Sequence, residues 1–568
     1  MRNSPSWKPA RAARIGAAIA FTLALLTAPA GAADPRGATP TPVVIDGAVG
    51  GAPVVLEATD ARPAATPTGE QTIRLAGPTD PIDTFDPALA KDATAAFFAR
   101  QLFRGLTRLD ADLNAVPELA ERIEISADGL TYTFALRPGA TFQDGSPILA
   151  ADVIGSLTRA LSPATTGGEA TLLGGPTYLS DIEGAADVVA GRAETLRGAR
   201  ALDDRTVEIR LAHPRATFLM KLAAAAASIV DVEQAAADPE WWRQPNTSGP
   251  FRIAGWEPDE ALTLEAVPGF APGAPHLERV EFRLGPNAGN AFNLYQADQL
   301  DVAGAPFSAV DRILEADPET VGNLSIAPMF ATEYIAFRTD VAPMDDPEFR
   351  KAIALAFPRA QFSEVALAGQ KLAATGLVPP GMLGRDWDDP MPPYDPGAAR
   401  AALERSRYGD GQPVPPLQIY GLGTIGATTL RDTVGKTLGI EIDVISVEWP
   451  TFAAGLANRE FPAYELHWIA DYPDPETFLW SLFDSRSPDN YVGYNNPEFD
   501  ALLDAAAATI DVDERADLYE RAQGLLVDDG VILPILHDVR YTVMRPAVHG
   551  LVETPLGILY LDDVWMEH

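Results

Sequence analysis

From Gln71 onward, hydrophobic and polar positions fall into short blocks that switch between a period of two and a period near four, which predicts strands interleaved with helices. Period-two blocks lie at 71–75, 122–125, 131–137, 262–265, 280–284, 417–420, 440–447 and 531–536, and 196–211 predicts a strand pair around Asp203-Asp204. Ser126-Ala127-Asp128-Gly129 joins two of these blocks and predicts a hairpin turn. Helical stripes are expected at 94–106 (Phe97, Phe98, Leu102, Phe103), at 349–357 (Phe349, Ile353, Phe357), over 428–438, and in two amphipathic runs starting near Phe499 and Leu518. The densest block is 464–478. There Tyr464, Leu466, Trp468 and Ala470 alternate with Glu465, His467 and Ile469, and Pro473 and Pro475 then forbid further ladder pairing. Asp471 is therefore expected at the mouth of a strand. A carboxylate flanked by Trp468 and Tyr472 can receive a cationic group in an aromatic-walled, partly dry site, or it can simply cap a turn.

Length changes the picture first, because 568 residues exceed what one core organises and imply two or three units. The formal charge of −36, from 43 Lys+Arg against 79 Asp+Glu, repels nucleic acid and anionic membrane surfaces and argues against both as partners. With no cysteine the chain has no disulfide framework, thiol nucleophile or thiolate metal site. At the N-terminus, Arg2, Lys8, Arg11 and Arg14 precede an apolar run from Ile15 to Leu26 and a small-residue Ala30-Gly31-Ala32 site. Residues 1–33 read as a secretory signal peptide, since the run is short of the roughly 20 apolar residues a spanning helix needs. Residues 34–70, rich in Ala, Pro, Thr and Gly, read as a flexible leader.

Two motifs compete for a chemical role. Asp110, Asp112, Asn114 and Glu121 stand at calcium-loop offsets, but Ala115 holds the place of the loop glycine, so a polar turn is expected and no metal. Gly421-Leu-Gly423-Thr-Ile-Gly426 after a strand fits a dinucleotide fingerprint; the βαβ unit is expected, the cofactor is not. Nucleophile-elbow, zinc-protease and phosphate-loop patterns are missing from the sequence, which argues against an enzyme. The alternative from that class is a secreted carbohydrate-active hydrolase pairing Asp471 with Asp474 or Glu476. The paired indoles Trp241 and Trp242 are expected in the core.

Pro117-Glu118-Leu119-Ala120, Asp128-Gly129, 132–137, Phe142, Asp144-Gly145, Pro147 and Ala150-Ala151-Asp152-Val153 form one ordered run. Later come Gly249-Pro250-Phe251, the helix at 349–357, Glu448-Trp449-Pro450-Thr451-Phe452, and Trp468-Ile469-Ala470-Asp471-Tyr472. In this order the chain resembles the oligopeptide- and dipeptide-binding proteins of bacterial ABC importers. The resemblance implies an α/β, periplasmic-binding-protein-like two-lobed fold with an extra domain and a ligand cleft between the lobes. The expected division is domain I from 71–103, 196–284 and 531–568, domain II from 104–195, and domain III from 285–530. It implies a secreted, periplasmic, monomeric protein without cofactor that captures a solute, with peptide leading, and hands it to membrane permease subunits. The ligand set it implies is Asp471, Trp468, Trp449, Tyr472, His467 and Ile469, with Asp471 on the ligand's ammonium and backbone near Trp468 extending the ligand as a strand. His467 departs from the glycine usual in the peptide binders, which bears on the size and nature of the solute.

Overall fold

The computed structural model describes residues 54–58, 65–316, 324–385, 387, 390–423 and 425–568. The signal-peptide reading at 1–33 lies outside them. Three sheets organise the chain. The first has five strands in the order Val54–Glu57, Ala120–Ile125, Thr131–Leu136, Thr206–Arg210, Ala199–Asp203, all antiparallel. Its inward side chains, among them Ile123, Phe134, Val207 and Ile209, pack on Val153 and Leu157 of the helix Ala150–Leu161. Gly129 takes the left-handed conformation (φ 67°) that the hairpin turn requires.

Part of the expected leader is thereby corrected. Val54–Glu57 pairs with Ala120–Ile125, and Val54 and Leu56 lean on the core while Val55 faces out. Two apolar residues alternating onto the core, Val54 and Leu56, suffice to satisfy a sheet edge, even inside a Pro- and Thr-rich stretch.

The second sheet runs Thr72–Ala76, Arg279–Arg283, Ala261–Ala266, Phe251–Glu257 and packs on Phe98 and Leu102 of the helix Ala93–Leu102. That helix stops four residues before the expected end at 106, because Phe103 turns extended (φ −132°, ψ 153°) to pack on Trp241 and Arg104 enters a buried ion pair with Glu118 at 3.0 Å. Trp241 is buried, as expected of a packing residue. Val548, Leu561, Val564 and Met566 join this core from the C-terminus, and the Gln71 side chain clasps the Met566 backbone through two 3.0 Å hydrogen bonds.

The third sheet has seven strands; its main path runs Val302–Gly304, Ile532–Met544, Leu324–Phe337, Ala463–Ile469, Leu417–Gly421, Ile442–Ser446. The last three are mutually parallel. One face, with Ile335, Ile419, Leu533 and Ile535, is covered by the helices Pro347–Ala356 and Pro396–Arg405 and the helical stretch 425–438. The opposite face, with Tyr334 and Tyr464, packs on the helices Glu476–Phe483, Pro497–Ala508 and Val512–Asp528 and reaches Leu109, Leu113 and Ala223 of the other lobe. This second face is the one turned toward the interlobe boundary.

Sheet membership moves two expected boundaries. Residues 199–210 complete the sheet of the 104–195 unit rather than that of the 71–103 unit, and Ile532–Met544 is a central strand of the third sheet, so the chain returns to the first unit only beyond it. Alternation tells that a segment is a strand but not which sheet accepts it.

Candidate functional site

Ala463–Ile469, the site strand, is held along its whole length by Leu324–Phe337, from Phe337↔Ala463 to Ala331↔Ile469. On its other side, Leu417–Gly421 pairs with it only at Tyr420↔Tyr464. Backbone groups of 465–469 that point away from Leu324–Phe337 thus form a strand edge with no strand partner among the described residues. Such an edge is a template for an added strand.

Beyond the strand, Pro473 and Pro475 force the chain into a loop that leads into the helix Glu476–Phe483. The loop carries three acids, and their surroundings differ. Asp474 is fully buried and ion-paired to Arg515 at 3.1 Å. Glu476, also buried, takes Lys221 Nζ at 2.9 Å and the Thr217 hydroxyl at 2.9 Å. Burial alone would raise the Glu476 carboxyl, but Lys221 and Arg215 outweigh it and hold it below the usual range. Lys221 also reaches Asp181 at 3.0 Å, so this pair ties the loop to the opposite lobe.

Asp471 has no ion-pair partner among the described residues. Its Oδ2 accepts from the Thr477 hydroxyl at 3.2 Å and its Oδ1 from the Tyr178 hydroxyl at 3.3 Å, while its own N–H donates to Thr477 Oγ1 at 3.1 Å. Burial pushes its carboxyl up to about 6, against the opposing pull of these two hydroxyls. A carboxylate in this state gains most from a cation brought from outside.

The other expected site residues divide by position. Tyr472 is buried, with Lys221 Nζ 5.1 Å from its ring centre, so it is a packed residue rather than an open wall. Trp468 is half-buried on the interlobe face, and its indole N–H is enclosed without an acceptor among the described residues. Trp449 opens the helix Trp449–Ala457 and is 57% exposed, its ring 6.2 Å from that of Phe452. His467 and Ile469 are exposed but point to the face opposite Trp468, as strand alternation dictates. The structure therefore gathers Asp471, Tyr472 and Trp468 on one side of the site strand and places His467 and Ile469 on the other.

Sequence reasoning did not single out Tyr178, Thr477, Lys221 or Glu476's role as an interlobe anchor. Thr477 follows Asp471 by six residues and was within reach of a turn argument; Tyr178 stands 293 residues away on the short helix Gly175–Leu179, with no local signal. The hydrolase pairing loses its partners, since both Asp474 and Glu476 are spent in buried ion pairs. The other two motifs find structural roles. Asp110 Oδ1 accepts the N–H groups of Asp112 and Asn114 and closes the turn between Thr107–Leu109 and Ala115–Pro117, whereas Glu121 lies in the next strand. At the glycine-rich loop the Glu465 carboxylate takes the N–H of Ala427 at 2.8 Å, filling the helix start where a phosphate would bind. Gly426 is required by that contact, because a Cβ there would stand 2.4 Å from Glu465 Oε1 and 2.8 Å from Glu333 Oε1.

Two lobes meeting over an open strand edge and a carboxylate without an ion-pair partner among the described residues match the arrangement expected of a solute-binding protein. The sequence pattern of the bacterial extracellular solute-binding proteins, family 5, matches residues 114–490, and this chain belongs to that family, whose members serve ABC importers. It is 30% identical over 521 residues to the probable deoxycholate-binding periplasmic protein YgiS of Escherichia coli, covering 89% of this chain and 95% of that one. It is 25% identical over 516 residues to the oligopeptide-binding protein OppA of Bacillus subtilis, covering 88% and 93%. Among solved structures, HbpA2 from Haemophilus parasuis superposes with a TM-score of 0.74 at 25% identity, over 88% of this chain and all of that one. The Escherichia coli murein tripeptide-binding protein MppA gives 0.72 at 23%, over 89% and 100%, and supports the fold alone. Among the described residues no helix is long and apolar enough to cross a membrane.

Proposed function

We propose that this chain is a periplasmic peptide receptor: it binds a peptide by its free amino terminus at Asp471, pairs the peptide backbone with the open edge of the site strand, and delivers it to an ABC permease. The observation that carries this reading is the contrast within one loop, where Asp474 and Glu476 each have a cation of their own and Asp471 has only hydroxyls. An α-ammonium supplies the missing charge, and the desolvated site makes that pairing strong. The open edge accounts for the rest, since main-chain pairing binds an extended peptide whatever its sequence.

Relatives named for deoxycholate and for heme are about as similar as those named for peptides, so the fold does not choose the solute; the site does. Mass spectrometry of what is released on denaturing gently isolated protein tests this. The expected release is a set of short peptides with free amino termini. Stoichiometric release of a solute without an amine, such as a sterol acid, would contradict the reading.

A further inference from the structure

A peptide paired along the open edge of the site strand presents its side chains alternately to the two faces of the sheet. Every second ligand side chain then meets the face that carries His467 and Ile469. His467 Nε2 lies 2.8 Å from Asp538 Oδ2, Asp538 Oδ1 lies 2.8 Å from Lys371 Nζ, and Lys371 is 3.6 Å from Glu333 Oε2. Glu333 in turn is buried beside Glu465, and burial and that neighbour push its carboxyl up to about 8. Burial would raise Asp538, but the bonds from His467 and Lys371 hold it at about 2, so it is an anion and only accepts. The Nε2 of His467 therefore carries hydrogen, and in the neutral ring Nδ1 is left as an acceptor. His467 makes no hydrogen bond through Nδ1 among the described residues, and its side chain is 37% exposed.

The surroundings of that acceptor are apolar at the surface and negative beneath. Ile469 stands two positions along the same face, and Leu422 and Ile425 flank the helix start that Glu465 caps; each is nearly half exposed. One lysine faces two carboxyls, Asp538 and Glu333, and Glu465 lies beside the second, which leaves a negative field at this end of the sheet.

We propose that His467, fixed by Asp538, reads a basic side chain on the ligand: the aliphatic stem of a lysine or arginine lies on Leu422, Ile425 and Ile469, and its charged tip donates to His467 Nδ1. This rests on the peptide reading above. An acidic side chain at the same position meets an acceptor and a negative field, and a short one reaches neither. A long basic side chain satisfies both the apolar rim and the polar tip. His467 is thus a specificity-determining residue, and the substrate class is peptides with a basic residue at one fixed position.

Calorimetry at pH 7.5 with trialanine, with three tripeptides in which one lysine is walked through the alanine positions, and with their norleucine counterparts tests the proposal. Norleucine keeps the stem and removes the charge. At one position lysine is expected to bind about tenfold tighter than norleucine, the order of one charge-assisted hydrogen bond. His467→Leu, or His467→Gly should the first not fold, is expected to bring that ratio near one, whatever it does to the separate affinities. A ratio near one at all three positions in the wild type, or a ratio that survives both substitutions, overturns the proposal. If trialanine binds without any lysine preference, only this proposal falls; if none of the tripeptides binds, the peptide reading falls and takes the proposal with it.

Discussion

Asp471 shows how a few ångströms of local geometry assign a role. Its place at a strand mouth was legible from Pro473 and Pro475 and from the alternation before them, and the flanking aromatics pointed to a dry site. What the sequence does not reveal is that the two neighbouring acids have cations and Asp471, among the described residues, has none, because those cations, Lys221 and Arg515, arrive from distant segments. Breaking one side of a desolvated charge pair costs on the order of 3–5 kcal/mol, so Asp471→Ala is expected to weaken peptide binding roughly a hundred- to several-thousand-fold. N-acetylation of the peptide removes the same pair and is expected to add little to the mutant's loss; calorimetry on the four combinations measures that coupling. The titration has a definite sign. The folded carboxyl, near 6, lies above its ordinary value of 3.8, so the ligand-free fold holds the proton more tightly than the unfolded chain and loses stability as pH rises from about 4 to 6. Binding an ammonium needs the ionised form, so affinity is expected to fall as pH drops below about 6 and to be flat there in Asp471→Asn.

Elements were the most legible level. The hairpin around Gly129, the strand pair around Asp203, the helix Pro347–Ala356 and the βαβ unit from Leu417 all stand where periodicity places them. The glycine-rich turn of that unit misleads by sequence alone, because the group that fills its helix start is a glutamate on the site strand, 38 residues downstream. That glutamate lies against Glu333. Burial, then the hydrogen bond and charge of Glu465, push the Glu333 carboxyl up to about 8. Its ordinary value is 4.5, so the wild-type fold is expected to lose stability from this group as pH rises from about 4.5 to 8. Glu333→Gln keeps the hydrogen-bonding shape without the proton and should remove that loss. Thermal denaturation of the two proteins is expected to converge at acid pH and to favour the variant above pH 8; parallel curves across the range would refute the raised Glu333 carboxyl.

At the scale of the whole molecule, length and alternation foretold several α/β units, and the family resemblance foretold the two lobes. The return points expected at 196 and 531 fall too early by sheet membership, since 199–210 and 532–544 are amphipathic strands that either of two sheets could accept. Contacts decide it. The lobes meet through buried charges as well as apolar packing: Lys221 and Thr217 on Glu476, and Tyr178 on Asp471. The loop that carries Asp471 is therefore also the loop the opposite lobe holds, so on the proposed reading ligand capture and lobe closure share one structural element. A ligand that completes the charge at Asp471 should favour the closed arrangement. Solution X-ray scattering on the full protein, empty and then saturated with a tripeptide or with its N-acetylated form, tests this central claim directly. The radius of gyration is expected to fall with the free-amine peptide and to stay at the empty value with the acetylated one; an unchanged radius at calorimetrically proven saturation, or equal contraction with both peptides, would contradict it.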